Sequence, residues 1–432
     1  MSKPRPPRRK LPRWKRLLFA AVTAVLVLAV LEGVSAVVLQ FALGTDIDEM
    51  HYEQDLLAMT GIAREQAGNV AHPYLGWVHS PQGNPVEFNG RRFPVNQFGF
   101  ADDKSPLQKR GRDRVVIGVF GGSVAWQFSV LGERVLTDEL RESPKFQGKK
   151  IVVVRLAISG HKQPQQLQTL AYLLSLGAEF DYVVNIDGFN EVALTETENT
   201  SRLMFYAYPA YWQVRSVDLV DPRLSSTAFA VLEVRAARQK WARRMQRFPL
   251  RHSRLLNLVW ALCDRGYRKT LTELGGELMA ARVERGDAYV KTGPQLNPAS
   301  LDEYRQATAA LWRRSSEQMR GLCEANGIVY LHFLQPNQHV KGSKRIGDEE
   351  RRAMLHDVMS DDYATAVENG YPLLIAEGRE LRRTGVRFLD LTMLFAGMRE
   401  PIYADRCCHY NQRGNDLLAR AVAEAMKAAG GK

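Results

Sequence analysis

VIGVFGGSVAWQF, residues 116–128, is the stretch on which the reading of the fold turns. A β-branched apolar run stops at Gly121, Gly122 and Ser123, and apolar residues then resume at helical spacing. That pattern predicts a buried strand, a sharp turn and a helix. Ser123 opens the helix, where a serine can serve as an N-cap or as a hydroxyl lifted out of the sheet for chemistry.

Working outward, the same alternation repeats. Short β-branched runs at Val115–Phe120, Ile151–Leu156, Tyr182–Ile186, Ile328–Leu334 and Val386–Leu391 predict five buried strands. Between them VLTDELRE (135–142), QQLQTLAYLLSLG (165–177) and EYRQATAALWRRSSEQMRGLCEANG (303–327) carry the 3.6-residue period, and NQRGNDLLARAVAEAMKAA (411–429) closes the chain as a helix. Strand–helix alternation implies an α/β domain over 109–430, a parallel sheet with helices on both faces. The long interval between the third and fourth strands breaks the rhythm. From Ser226 to about Val290 it is helical and basic, with Arg235, Arg238, Lys240, Arg243, Arg244, Arg247, Arg251 and Arg254, and it reads as a helical insertion (about 200–300) over the sheet. A solvated basic face is the plain reading of that stretch, and contact with anionic lipid headgroups is the sharper one.

The chain has 432 residues, 45% of them hydrophobic, and a net charge of +12. Residues 1–16 hold Lys3, Arg5, Arg8, Arg9, Lys10, Arg13, Lys15 and Arg16 without an acid, so +12 less these eight leaves only +4 for the remainder. With no aromatic platform or recognition motif, that remainder does not suggest a nucleic-acid partner. The basic tail precedes Leu17–Leu43, apolar except for Thr23, Ser35, Gln40 and Glu32. Such a run can cross a hydrocarbon core of about 30 Å, and the charge before it predicts a cytoplasmic N-terminus with the rest outside. The rival is a cleaved signal peptide ending at Val34-Ser35-Ala36. Residues 44–108, including HPYLGWVHSPQGNPVEFNGRRFPVNQFGF (72–100), are rich in Gly, Pro and spaced aromatics and predict a membrane-proximal wrap of short strands.

Sites in open α/β sheets form at the carboxyl ends of the strands. Those ends here are Gly121-Gly122-Ser123, AISGHKQP with Gly160, DGFNEV with Asn190, and the late loop YADRCCHYN with Asp405 and His409. A serine hydroxyl needs a base, which His409 can supply, and the imidazole needs a carboxylate to fix its tautomer, for which Asp405 is nearest. The backbone N–H groups of Ser123 and Gly160 and the Asn190 amide are candidate oxyanion donors. His161 is expected to line the cleft without acting as the base. Taken singly, Gly160 reads as a turn glycine, Asn190 as a loop residue bonding its own backbone, and His409 as a structural hydrogen-bonder. No Gly-Lys-Ser/Thr follows Gly121, which argues against a phosphate loop. Cys263, Cys323, Cys407 and Cys408 have no Cys-x-x-Cys spacing, so no metal site is expected, and their pairing stays open.

The order Ser, Gly, Asn, then Asp and His near the C-terminus resembles the SGNH superfamily of serine hydrolases, the GDSL-type esterases. The resemblance covers about 110–425 without the insertion. It implies a three-layer, flavodoxin-like fold and ester hydrolysis or acyl transfer through a Ser123 acyl-enzyme, without metal or cofactor. Two departures stand out. The usual Gly-Asp-Ser lacks its aspartate, and the position three before His409 is Arg406, with Asp405 four before. Three functions are therefore expected: a membrane-anchored esterase of acyl esters, carried on carbohydrate or lipid; a polysaccharide O-acyltransferase using the same residues; or an inactive binding scaffold, which the displaced Asp405 motivates.

Overall fold

The computed structural model describes residues 12–429 apart from 46, 60–68, 82, 200–203, 213–221, 248, 281–292, 295–297, 299 and 355–361. Most of the basic tail and the end of the expected insertion lie outside the described residues. In chain order the elements are α1 (Arg13–Val37), which runs on as a π-helical turn (Val38–Ala42), α2 (Ile47–Met59), the hairpins β1 (Asn69–His72)/β2 (Gly76–His79) and β3 (Val86–Phe88)/β4 (Arg91–Phe93), β5 (Arg114–Gly121), α3 (Ser123–Leu131), α4 (Glu133–Arg141), β6 (Lys150–Arg155), α5 (Gln165–Ser175) and β7 (Tyr182–Asp187). A π-helical segment (Asn190–Asn199) follows, then α6 (Pro222–Met245), α7 (Arg254–Ala280), α8 (Leu301–Ala325), β8 (Val329–Leu334), α9 (Asp348–Met354), α10 (Asp362–Arg383), β9 (Phe388–Asp390) and α11 (Gln412–Ala428). Contacts divide the chain into two compact units, Met1–Glu65 with Arg223–Met279, and Gln66–Pro222 with Ala280–Lys432.

In the first unit, Arg13–Ala42 is long and apolar enough to cross a membrane. Its described residues are exposed as far as Leu31; from there Ser35 and Leu39 are buried and Glu32 and Ala36 half-buried. These four lie on one stripe of a helix. Glu32, the charge in the apolar run, has a partner in this unit. Its carboxylate accepts from the Ser253 hydroxyl and from the N–H groups of Arg254 (2.5 Å) and Leu255 (3.3 Å), capping the start of α7. Helix starts leave such N–H groups without intrahelical partners. The insertion, expected over the sheet, finds its packing partners here, in a core of Met50, Leu57, Ala242, Met245 and Trp260. Its basic residues are only in part a solvated face. Arg238 pairs with Asp264 and Glu53, and Arg251 with Asp55, whereas Arg243, Arg244 and Arg247 are exposed. The stretch 44–108 divides as well: α2 belongs to this unit and the two hairpins to the other.

The second unit is α/β. Its five-stranded sheet has the order β6-β5-β7-β8-β9 with every pair parallel. Each expected strand is present, with ends shifted by no more than two residues, because short apolar runs that are largely buried leave little choice of element. All six residues of β7 are buried, so both sheet faces are covered. One helical group joins α3, α4 and α11, the other α5, α8, α10 and the π segment. The chain goes from β5 to one neighbour, β6, and returns to the other side as β7. Strand order reverses at β5, and open α/β sheets place their sites beyond the carboxyl end of such a strand.

Candidate active site

Ser123 stands at the carboxyl end of β5 because of the two glycines before it. Gly121 has φ +138°, a region that side chains rarely adopt, and a Cβ there would fall 2.1 Å from the Ile186 carbonyl oxygen. A Cβ on Gly122 would fall 2.1 Å from the Asn190 Nδ2. The turn can therefore be this tight, and Asn190 this close, only with glycine at both positions. Ser123 is the first residue of α3 and does not cap it; the N-cap position is Gly122.

The Ser123 hydroxyl meets His409 Nε2 at 2.7 Å, across 286 residues of chain. His409 Nδ1 is in turn hydrogen-bonded to Asp405 Oδ2. The other carboxylate oxygen, Oδ1, accepts the backbone N–H groups of Cys407 (2.9 Å), Cys408 (2.9 Å) and His409 (3.2 Å). This nest explains how an aspartate four residues before the histidine still reaches it: the extra residue is taken up in a turn whose N–H groups converge on one carboxylate. Burial alone would raise the Asp405 pKa; the His409 hydrogen bond and charge and the backbone donors outweigh it and hold the carboxyl at about 2, below its ordinary 3.8.

The loop itself is braced. Its stem pairs Ala404 N–H to the His409 carbonyl (2.9 Å) and Asn411 N–H to the Ile402 carbonyl (2.8 Å). The segment after β8 holds its tip, with Asn337 donating to the Cys407 carbonyl (2.9 Å) and Gln338 to the Asp405 carbonyl (3.2 Å). Glu350 accepts the N–H groups of Ile402 and Tyr403 at 2.9 and 2.7 Å. Asn411 then caps α11 through Gly414 N–H, 3.0 Å.

Beside Gly122, Asn190 Nδ2 donates one hydrogen to the His161 carbonyl at 2.7 Å and keeps a second. Gly160 immediately precedes that carbonyl, with φ +86°. Among the described residues no hydrogen bond takes up the N–H of Ser123 or Gly160. His161 departs from the expectation that it lines the cleft: it is 1% exposed, its Nε2 lies 2.9 Å from the Trp77 carbonyl oxygen and its ring meets the Trp77 indole edge-on. An aromatic wall from β2 is what draws it inward.

Two buried ionisable groups behind this wall are absent from the sequence reading. Glu191 accepts from Gln163 N–H (3.0 Å), Gln166 Nε2 (3.0 Å) and Gly188 N–H (2.8 Å), tying the loop after β6 to the loop after β7. Burial first, and then the charge of Asp187, push its pKa up to about 8. Lys162, also buried, donates to the Tyr206 carbonyl, and burial lowers its pKa to about 7. The only signal for Glu191 is its place beside Asn190 in DGFNEV; a single acid there is indistinguishable in sequence from a surface residue. Deeper still, Asp187 receives Trp312 Nε1 (2.7 Å) and faces His332 Nε2 (2.8 Å), a network sealed from solvent that fixes β7 against β8 and α8.

All four cysteines are free. Cys407, Cys408 and His409 have potential ligand atoms within 4.8 Å of one another, but both His409 nitrogens are engaged by Asp405 and Ser123. Neither the protein-family models nor the curated proteins give a match to this chain.

Proposed function

We propose that this chain is a membrane-anchored serine esterase of the SGNH type, with Ser123 as nucleophile, His409 as base and Asp405 as the group that orients it. The observation that carries the reading is the continuous chain of contacts Ser123 Oγ–His409 Nε2–His409 Nδ1–Asp405 at the switch point of the sheet. The strand order is that of flavodoxin-like sheets, which supports the fold that the SGNH resemblance implied.

In this mechanism Ser123 Oγ attacks the ester carbonyl while its proton passes to His409 Nε2. Asp405, ionised because its carboxyl sits near 2, accepts Nδ1–H and stabilises the imidazolium. The carbonyl oxygen becomes an oxyanion that the N–H groups of Ser123 and Gly160 and the second hydrogen of Asn190 receive. His409 returns its proton to the departing alcohol, and water, activated by the same imidazole, releases the acid. The helix Arg13–Ala42 anchors the protein with its N-terminus in the cytoplasm and the catalytic unit outside, in line with the charge pattern.

Hydrolysis of short-chain p-nitrophenyl esters by the full chain in detergent tests the reading. Ser123→Ala should lose at least about 10³-fold in kcat; a variant as fast as the wild type removes Ser123 from the chemistry.

A further inference from the structure

Beside the Ser123–His409 contact lies a pair of side chains that the proposed hydrolysis leaves idle. The Sγ atoms of Cys407 and Cys408 are 2.9 Å apart, and both residues are buried (4% and 1% exposed). Their backbone N–H groups are two of the three that hold Asp405 Oδ1. Thiol chemistry and catalytic geometry therefore meet in one five-residue turn, Asp405–His409.

We propose that Cys407 and Cys408 are a modification site, forming a reversible vicinal disulfide that releases Asp405 and so switches the Ser123–His409 pair off. The proposal rests on the serine-hydrolase reading for its effect on activity, not for the bridge itself. A small hydroperoxide is the oxidant. One thiolate attacks the peroxide oxygen, the O–O bond breaks, and a sulfenic acid forms as water (or alcohol) leaves. The second thiol attacks that sulfur, the S–O bond breaks, and a second water carries away the hydroxyl with the thiol proton. The two sulfurs together lose two electrons, and one peroxide is reduced.

Adjacent residues keep their Cα atoms about 3.8 Å apart, below the range of about 4.4–6.8 Å found in ordinary disulfides. The bridge must therefore turn the peptide between the two cysteines, whose N–H is the Cys408 donor to Asp405. Loss of one hydrogen bond to a charged acceptor corresponds to about a tenfold change in rate. The same constraint makes the bridge easy to reduce, as a switch requires.

The test uses the full chain in detergent, treated with graded hydrogen peroxide, alkylated with iodoacetamide and digested with trypsin. The peptide Cys407–Arg413 should become two hydrogen atoms lighter and resistant to alkylation, with both changes reversed by dithiothreitol. In parallel, fluorophosphonate labelling of Ser123 should slow about tenfold on oxidation and recover on reduction, whereas Cys407→Ala, compared with its own untreated sample, should keep its labelling rate. Sulfoxide on Met393, half exposed, shows that the oxidant dose was sufficient. A peptide that stays fully alkylatable at such a dose overturns the proposal, and so does a bridge that leaves labelling unchanged. In a protein that takes no label even when reduced, the hydrolase reading fails, while the peptide mass still decides the bridge.

Discussion

Asp405→Asn changes one atom and should disturb both chemistry and stability. Asparagine can keep its Oδ1 on the three N–H groups of Cys407, Cys408 and His409, but it then turns an NH₂ donor toward His409 Nδ1. The imidazole answers by placing its proton on Nε2, where it can no longer accept from Ser123, and kcat should fall about 10³- to 10⁴-fold. The stability term follows from the carboxyl pKa, which falls on folding from 3.8 to about 2. At 1.36 kcal/mol per unit this corresponds to about 2 kcal/mol at neutral pH. A depressed folded-state value stabilises above the unfolded value and loses its effect as pH falls through the folded one. The deficit of the variant should thus be full above pH 3.8 and vanish near pH 2. Urea unfolding of both proteins at several pH values, beside ester hydrolysis at pH 7, measures the two effects. A variant that hydrolyses at the wild-type rate, or a deficit equal at pH 2 and pH 7, would refute the assignment of Asp405.

Three further outcomes are expected. Gly122→Ala should cost roughly 10² in kcat with little change in KM, because its Cβ displaces the Asn190 amide from 2.1 Å away; steady-state kinetics would show it. Glu191, raised to about 8 against an ordinary 4.5, favours folding below the lower value and loses that contribution as pH rises through the upper one. Wild-type stability should therefore decline between about pH 4.5 and 8, and Glu191→Gln should flatten that slope in thermal melts. Glu32→Ala removes the acceptor at the start of α7 and should destabilise that turn by about 1 kcal/mol, seen as faster hydrogen exchange at Arg254 and Leu255 with an unaltered Ser123 site.

The sheet was legible because its central strands bury both faces and so carry short, mainly apolar runs. The turn at Ser123 was legible for a related reason: two successive glycines after such a run point to a backbone that tolerates no side chain. Asp405 was the ambiguous residue, since spacing alone does not reveal a turn that gathers three N–H groups onto one carboxylate. Glu32 was opaque because its partners, Ser253 to Leu255, lie more than two hundred residues away. The insertion misled for a similar reason. Its sequence displays arginines, while the acids that neutralise Arg238 and Arg251 sit on α2 and α7 and become visible only in three dimensions. His161 and Glu191 illustrate a further limit: burial of a polar side chain is decided by its neighbours, here Trp77 and the Gly188 turn, not by its own identity.

The most direct test is to expose the full chain to a fluorophosphonate probe and map the adduct by mass spectrometry. A single adduct on Ser123, absent in His409→Ala and slowed in Asp405→Asn, is the expected result. An adduct on another serine, or one that forms on Ser123 equally well without His409, would contradict the proposed pairing of an early hydroxyl with a late imidazole.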